Sequence, residues 1–206
     1  MYLPFFPLKL IVFPGEEFNL HIFEPRYREL IGDVEQLGTS FGICFYLDNL
    51  TGFGTEVILK QVSKRYEDGR LDIRTEGKRI FEIKSFDNPS PGKLYAAGEV
   101  AFKELDYKAA RKTHLEYVFY LKEMLFLLNH HVNFDPAEVN SFSFAHKLGL
   151  SLEEEFELLK IPKEEDRLNF LILFFKRMIP AIKAIESAKE KIKLNGHFKH
   201  LDPLDF

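Results

Sequence analysis

The stretch from Thr55 to Ile83, TEVILKQVSKRYEDGRLDIRTEGKRIFEI, decides the reading of the fold. Its first part, Thr55 to Tyr66, is long and rich in β-branched residues, and it ends at Glu67-Asp68-Gly69-Arg70. Asp-Gly between two strand-like segments predicts a hairpin, because both residues accept positive φ. Beyond it Leu71, Ile73 and Thr75 alternate with Asp72, Arg74 and Glu76, the period of a strand with one wet face. Glu76-Gly77 predicts another turn, after which Phe81 and Ile83 alternate with Glu82 and Lys84.

Upstream, Phe41 to Leu47 is a short apolar run that fits a buried strand, and Glu24-Pro25-Arg26-Tyr27 opens a helix through Leu37 that Gly38 can end. Downstream, Asn88-Pro89-Ser90-Pro91-Gly92 is a loop by composition and Leu94 to Phe102 one more strand. After about residue 105 the period changes from two to three or four. Leu115, Val118, Leu121, Leu125 and Leu128 form an apolar helical stripe. Asp135-Pro136-Ala137-Glu138 and Ser151-Leu152-Glu153-Glu154 carry capping-box spacing. Leu168, Leu171, Ile172, Phe175 and Ile179, with Phe170, Leu173 and Phe174 beside them, make a helix apolar nearly all round. Pro180 is expected to kink or split it, and Asn195-Gly196 to close the last helix. Strands first and helices after predict an α+β fold. The expected parts are a β-rich barrel or sandwich over 1–104, a helical subdomain over 105–195 and a tail over 196–206.

The composition is that of an ordinary globule, 46% hydrophobic and 29% charged over 206 residues. With 22 Phe and no Trp, aromatic groups suffice for a dense core with some left for a binding surface. A net charge of −4 argues against a general nucleic-acid binder. The single cysteine, Cys44, lies in the apolar run and reads as a small buried side chain rather than a nucleophile. The apolar start lacks a basic n-region and is broken by Pro4, Pro7 and Pro14, and no segment is long and apolar enough for a membrane span. A cytoplasmic protein is expected.

Leu3-Pro4-Phe5-Phe6-Pro7-Leu8, Val12-Phe13-Pro14-Gly15 and Leu20-His21-Ile22-Phe23-Glu24-Pro25-Arg26-Tyr27 together resemble the start of the Lon protease N-terminal domain family. Ile22 to Tyr27 is most similar to its small stand-alone members and to the related domain of cereblon. Gly54-Thr55, Asp68-Gly69, Gly77-Lys78-Arg79 with Phe81, Leu148 to Leu159 and Arg167-Leu168 continue the resemblance in order. It implies a PUA-like pseudo-β-barrel followed by a C-terminal helical subdomain, a module that binds substrate polypeptides for an ATP-dependent protease. The chain stops where a full Lon protein continues, and it carries no G-x-x-x-x-G-K-[ST] loop to cradle ATP phosphates. A non-enzyme without cofactor is therefore expected. Its expected partners are unfolded or hydrophobic polypeptide segments, with a protease or chaperone as a further candidate, bound in an apolar groove between barrel and helices.

The candidate binding or structural motif is Phe23, Glu24, Arg26 and Tyr27. Its plainer reading is that Glu24 and Pro25 start the helix, Tyr27 anchors it and Arg26 pairs with a carboxylate or carbonyl. Among seven histidines, His130-His131 point apart on a helix, and His197 and His200 lie in the expected tail, so no metal site is expected. No nucleophile elbow or H-E-x-x-H occurs, and no catalytic residue is assigned. Lys60, Lys64, Arg65, Tyr66, Arg74, Lys78 and Arg79 could form a basic strand face with an aromatic, the basis of an RNA-binding alternative. Glu67, Asp68, Asp72, Glu76 and Glu82 dilute it. A small-molecule or modified-residue receptor, like the cereblon domain, is the third reading. The tail's Phe198, Leu201, Leu204 and Phe206 could dock on the chain itself or on a partner.

Overall fold

The computed structural model describes residues 1–46 and 50–197, with side chains as far as residue 192, and the tail from Phe198 lies outside the described residues. The strands are β1 (Tyr2–Leu8), β2 (Glu17–Ile22), β3 (Ser40–Tyr46), β4 (Leu50–Arg65), β5 (Leu71–Ile83) and β6 (Ala96–Phe102). The helices are α1 (Pro25–Leu37), α2 (Arg111–Leu127), α3 (Leu152–Lys160) and α4 (Glu164–His197), with a 3₁₀ turn over Ala145–Lys147. No helix of the described residues is long and apolar enough to cross a membrane. The chain divides into two compact units. One comprises Met1–Asp106, Phe142–His146 and Leu150–Pro162, and the other Tyr107–Ser141, Lys147–Gly149 and residues from Lys163 onward.

In the first unit the strands follow the order β2-β5-β4-β3-β1-β6. A further β5–β6 pairing closes five of them into a ring, a pseudo-barrel with β2 attached outside it. β1 and β3 run parallel, and the remaining pairs are antiparallel. The hairpin turns at Gly69 (φ 86°), where Tyr66 N–H donates to the Arg70 carbonyl at 2.9 Å.

At Glu76-Gly77 the structure has no turn. β5 runs straight through and changes partner there, from β2 (Leu71 to Glu76) to β6 (Phe81 to Ile83). Gly77 exchanges hydrogen bonds with the Gly15–Glu16 turn, at 2.8 and 2.9 Å, and a Cβ on it would collide with the Phe13 carbonyl. The glycine marks a close backbone approach inside a strand. Inside the ring, Phe81 lies over Gly42 and Gly54, where added Cβ atoms would stand 2.6 and 2.5 Å from its ring.

Phe142–His146 and α3 pack on this barrel. Phe142 stacks on Phe13 at 5.1 Å between centroids, and Phe156 of α3 meets Phe45 at 5.1 Å. Ser151 and Glu154 form a complete capping box at the start of α3. The other sequence signature, at Asp135, starts no helix. Asp135 Oδ1 accepts from Ala137 N–H at 2.8 Å and the chain makes a turn. The Asn140, Ser141 and Ser143 that follow have side chains that compete for backbone groups and disfavour propagation.

In the second unit α2 buries Tyr117, Val118, Leu121, Met124 and Leu125, leaving Leu115 outside its buried face. α4 buries Leu168, Leu171, Ile172, Phe174, Phe175 and Ile179, and Phe175 stacks on Tyr117 at 6.1 Å. The helix continues through Pro180, which faces solvent, where water can satisfy the carbonyl that proline leaves without a donor. Arg167 is fully buried, donating to Glu164 Oε2 at 2.7 Å and Ser141 Oγ at 2.8 Å.

Phe175→Ala is expected to cost about 3–5 kcal/mol in denaturant unfolding, the range for emptying a buried aromatic site. A loss below about 1 kcal/mol would show that Phe175 does not hold the core. A second expectation concerns His146, whose Nδ1 lies 2.8 Å from Glu155 and Nε2 3.1 Å from Glu16. Burial works against the charged ring, but the two carboxylates outweigh it and push the pKa up to about 10. A free histidine titrates near about 6.5, so the stabilisation is complete below that pH and is lost as pH rises toward 10. His146→Gln should therefore lower the urea midpoint more at about pH 6 than at about pH 10, and equal losses at both would exclude the charged ring.

Candidate recognition surface

Four residues singled out from the sequence, Phe23, Glu24, Arg26 and Tyr27, come together where β2 ends and α1 begins. Glu24 is the N-cap residue, with extended backbone, and its carboxylate makes no capping bond. It accepts instead from Arg26 Nε at 2.9 Å, and Pro25 fills the first helical position. Tyr27 points inward and stacks on Phe6 at 3.8 Å between centroids, within the cluster that holds Leu30, Ile31 and Phe41. Burial raises its phenol above the ordinary range, and Arg26, 4.5 Å over the ring, pulls the other way. Phe23 points outward and is 60% exposed.

Phe23 stacks at 6.2 Å on His21, which leads to a cluster that the sequence did not join to this corner, although it named Lys64 and Tyr66 in the basic strand face. His21 Nδ1 lies 2.6 Å from Asp72, and Tyr66 Oη donates to the same carboxylate at 2.8 Å. These two bonds hold the Asp72 carboxyl below its usual range. Lys64 and Arg70 approach the Tyr66 ring at 4.3 and 5.0 Å. Arg28 of α1 donates to the Asp68 carbonyl at 2.8 Å and ties the helix to the hairpin tip. His21 and Asp72 are 51 residues apart and meet only through the β2–β5 register, for which the sequence holds no local signal.

Much of the basic strand face is paired with carboxylates, Lys64 excepted, which lies over the Tyr66 ring. Lys60 pairs with Glu76, Arg65 with Glu35, Arg74 with Glu17 and Arg79 with the buried Glu56. The exposed pairs among these add little stability, about 0–1 kcal/mol, and they reduce the local positive field that phosphate binding needs. Cys44 is buried, and burial alone pushes its thiol far up, so it is not poised as a nucleophile. Among the described residues no cluster of three metal-ligating side chains occurs. His130 and His131 sit with Phe126 and Phe134 around a cleft of about 390 Å3. The side chain of His197 and all of His200 lie outside the described residues.

α2 presents a row of large apolar side chains to solvent. Leu115, Phe119 and Phe126 are 57%, 65% and 70% exposed, and their spacing puts them within about 40° of one another around the helix. Rows of this size on a soluble surface mark contact sites more often than isolated exposed residues do.

A family model, the substrate-binding domain of ATP-dependent protease La (LON), matches residues 2–177. The chain belongs to this family. Among solved structures, the Lon N-terminal domain protein from Xanthomonas campestris superposes with a TM-score of 0.66 at 27% identity, covering 84% of this chain and 98% of that one. The N-terminal domain of the Mycobacterium avium complex Lon protease has the same fold, with a TM-score of 0.63 at 18% identity over 85% and 98% of the two chains. No curated protein sequence matches. The Lon-family model spans the whole ring, α1 to α3 and α4 through Arg177, so the Phe23 corner and the α2 row both lie inside the matched region.

The two outward and inward aromatics of the corner should separate on mutation. Tyr27→Ala is expected to cost about 3–5 kcal/mol in unfolding, as for other buried aromatics. Phe23→Ala should stay within about 0.5 kcal/mol. A large loss from Phe23→Ala would show the corner to be structural throughout.

Proposed function

We propose that this Lon-family domain recognises unfolded or hydrophobic polypeptide segments and performs no covalent chemistry of its own. The observation that carries the reading is the exposed row of Leu115, Phe119 and Phe126 within a chain whose family model is a substrate-binding domain. Burying one such side chain yields roughly 1.5–3 kcal/mol. Two or three contacts, less the ordering of a flexible peptide, leave binding at about micromolar or weaker. Weak, additive apolar contact suits a module that meets many sequences, and a protease or chaperone is the partner that would act on what it holds.

The test is a titration of a labelled, reduced and carboxymethylated casein at low and high salt, with a structured RNA in parallel. Apolar recognition should change little with salt, whereas phosphate binding falls steeply. Phe119→Ser with Phe126→Ser should weaken casein binding about tenfold without loss of stability. The purified chain should neither hydrolyse ATP nor cleave casein. RNA binding that collapses with salt, with casein unbound, would replace this reading by the nucleic-acid one.

A further inference from the structure

β4 spans 16 residues, yet β3 pairs with it only as far as Ile58, which stands opposite Ser40, the first residue of β3. From Leu59 to Arg65 the strand keeps β5 on one side, with Gln61 opposite Arg74 and Arg65 opposite Leu71. Among the described residues no strand pairs with its other side. Backbone N–H and C=O groups of a strand alternate between its two sides, so this segment carries an open hydrogen-bonding edge. A cleft of about 630 Å3 lies against the edge, between Val34, Glu35 and Thr39 at the end of α1 and Leu59 and Val62 of the strand.

We propose that this open edge of β4 binds an extended, acid-bearing polypeptide segment by accepting it as an added strand. The inference rests on the polypeptide-recognition reading and names a site and mode for it. Backbone pairing supplies affinity that any extended chain can use, and pockets for alternate side chains supply preference. The cleft volume falls in the range of ligand sites, about 300–1,000 Å3, and half-buried Leu59 and Val62 border it.

Charge selects the occupant. Lys60, Lys64 and Arg65 line the strand and are exposed. Lys60 shares the single carboxylate of Glu76 with Lys78, and Lys64 pairs with no carboxylate among the described residues, so positive charge is in excess here. The carboxylates nearby are engaged: Glu35 by Arg65 at 2.6 and 2.7 Å, Glu56 by Arg79 and Ser40, and Glu76 by Lys60 and Lys78. Edge-to-edge pairing with a second copy would bring like charges together, and the register shifts between Leu59 and Gln61 and between Val62 and Lys64 coil the strand away from a flat partner. Those same lysines favour a strand that carries glutamate or aspartate.

Ser63 lies at the second irregularity, where proline is best tolerated. The probe is a fluorescein-labelled peptide of about ten residues alternating valine and glutamate, read by anisotropy against wild type, Ser63→Pro and Lys64→Glu. A second peptide has alternate backbone nitrogens methylated, which removes the strand donors and keeps the side chains. Wild type should bind the first peptide about tenfold or more tighter than the methylated one. Ser63→Pro should erase that difference, and Lys64→Glu should shift preference to a valine–lysine peptide. Should Ser63→Pro fail to fold, Lys64→Glu and the methylated peptide still decide. Equal binding of both peptides by wild type, with casein still bound, would remove the edge and leave the recognition reading intact. No binding of casein or of either peptide would overturn both. A wild-type dimer in sedimentation that Lys64→Glu dissolves would make the edge a self-interface and overturn the proposal.

Discussion

The simultaneous pairing of β5 with β4, β2 and β6 is the constraint on which the first unit depends. This strand follows β4 from Leu71 to Glu82, holds β2 over Leu71 to Glu76 and closes the ring with β6 over Phe81 to Ile83. A single strand can serve both neighbours only if it changes partner midway, and Gly77 is where the change occurs. Any side chain there would meet the backbone of the Phe13–Glu16 turn, whose hydrogen bonds hold the crossing in place. Phe81, just beyond, fills the ring because Gly42 and Gly54 leave it room. Register, closure and core packing are thus one decision, made by the hairpin around Asp68-Gly69.

That hairpin was legible because turn chemistry and alternation agree locally. So were the helix from Pro25 to Gly38 and the capping box at Ser151, where the residues that set the boundary stand next to it. The misreadings share a cause. Glu76-Gly77 looks like a turn because glycine signals freedom, and the sequence cannot tell freedom from crowding. Asp135 looks like a cap because its side chain does bond the backbone two residues on, but the serines and asparagine after it do not extend the turn into a helix. The buried face of α2 is Tyr117, Val118, Leu121, Met124 and Leu125, and placing Leu115 in that stripe assigned a surface residue to the core. Of the corner at α1, the sequence gives Glu24 to Tyr27 but not His21, Tyr66 and Asp72, which only the β2–β5 register brings alongside.

Long-range polar contacts were invisible for the same reason, and they are numerous. Glu56 accepts from Ser40 and Arg79, His146 bridges Glu16 and Glu155, and Arg167 is enclosed by Glu164 and Ser141. Every buried side-chain nitrogen or oxygen among the described residues has a partner. A pair buried on both sides, such as Arg167 with Glu164, contributes little net stability, because desolvation offsets most of the attraction, yet losing one member leaves a charge uncompensated at a cost of about 3–5 kcal/mol. Their effect is on uniqueness. A core with 22 phenylalanines to distribute has many apolar packings of similar energy, and each satisfied polar cluster rejects those that would leave it unpaired.

An open strand edge sets a physical problem that bears on what this surface recognises. Folded proteins ordinarily guard such edges, because unpaired N–H and C=O groups accept any passing strand, including another copy of the chain. Among the described residues no strand covers this edge, and the guard is made of cations and register shifts; a covering element and a charged guard differ in consequence. A covering helix excludes every partner equally. Lysines exclude by sign: they oppose another basic edge and not an acidic one. The apolar row on α2 lacks any such selectivity, since burial of Phe119 or Phe126 is indifferent to the sequence that covers it. If both proposed surfaces bind as proposed, the domain would hold many unfolded chains weakly through apolar contact, and would discriminate among them only where backbone and charge are read together.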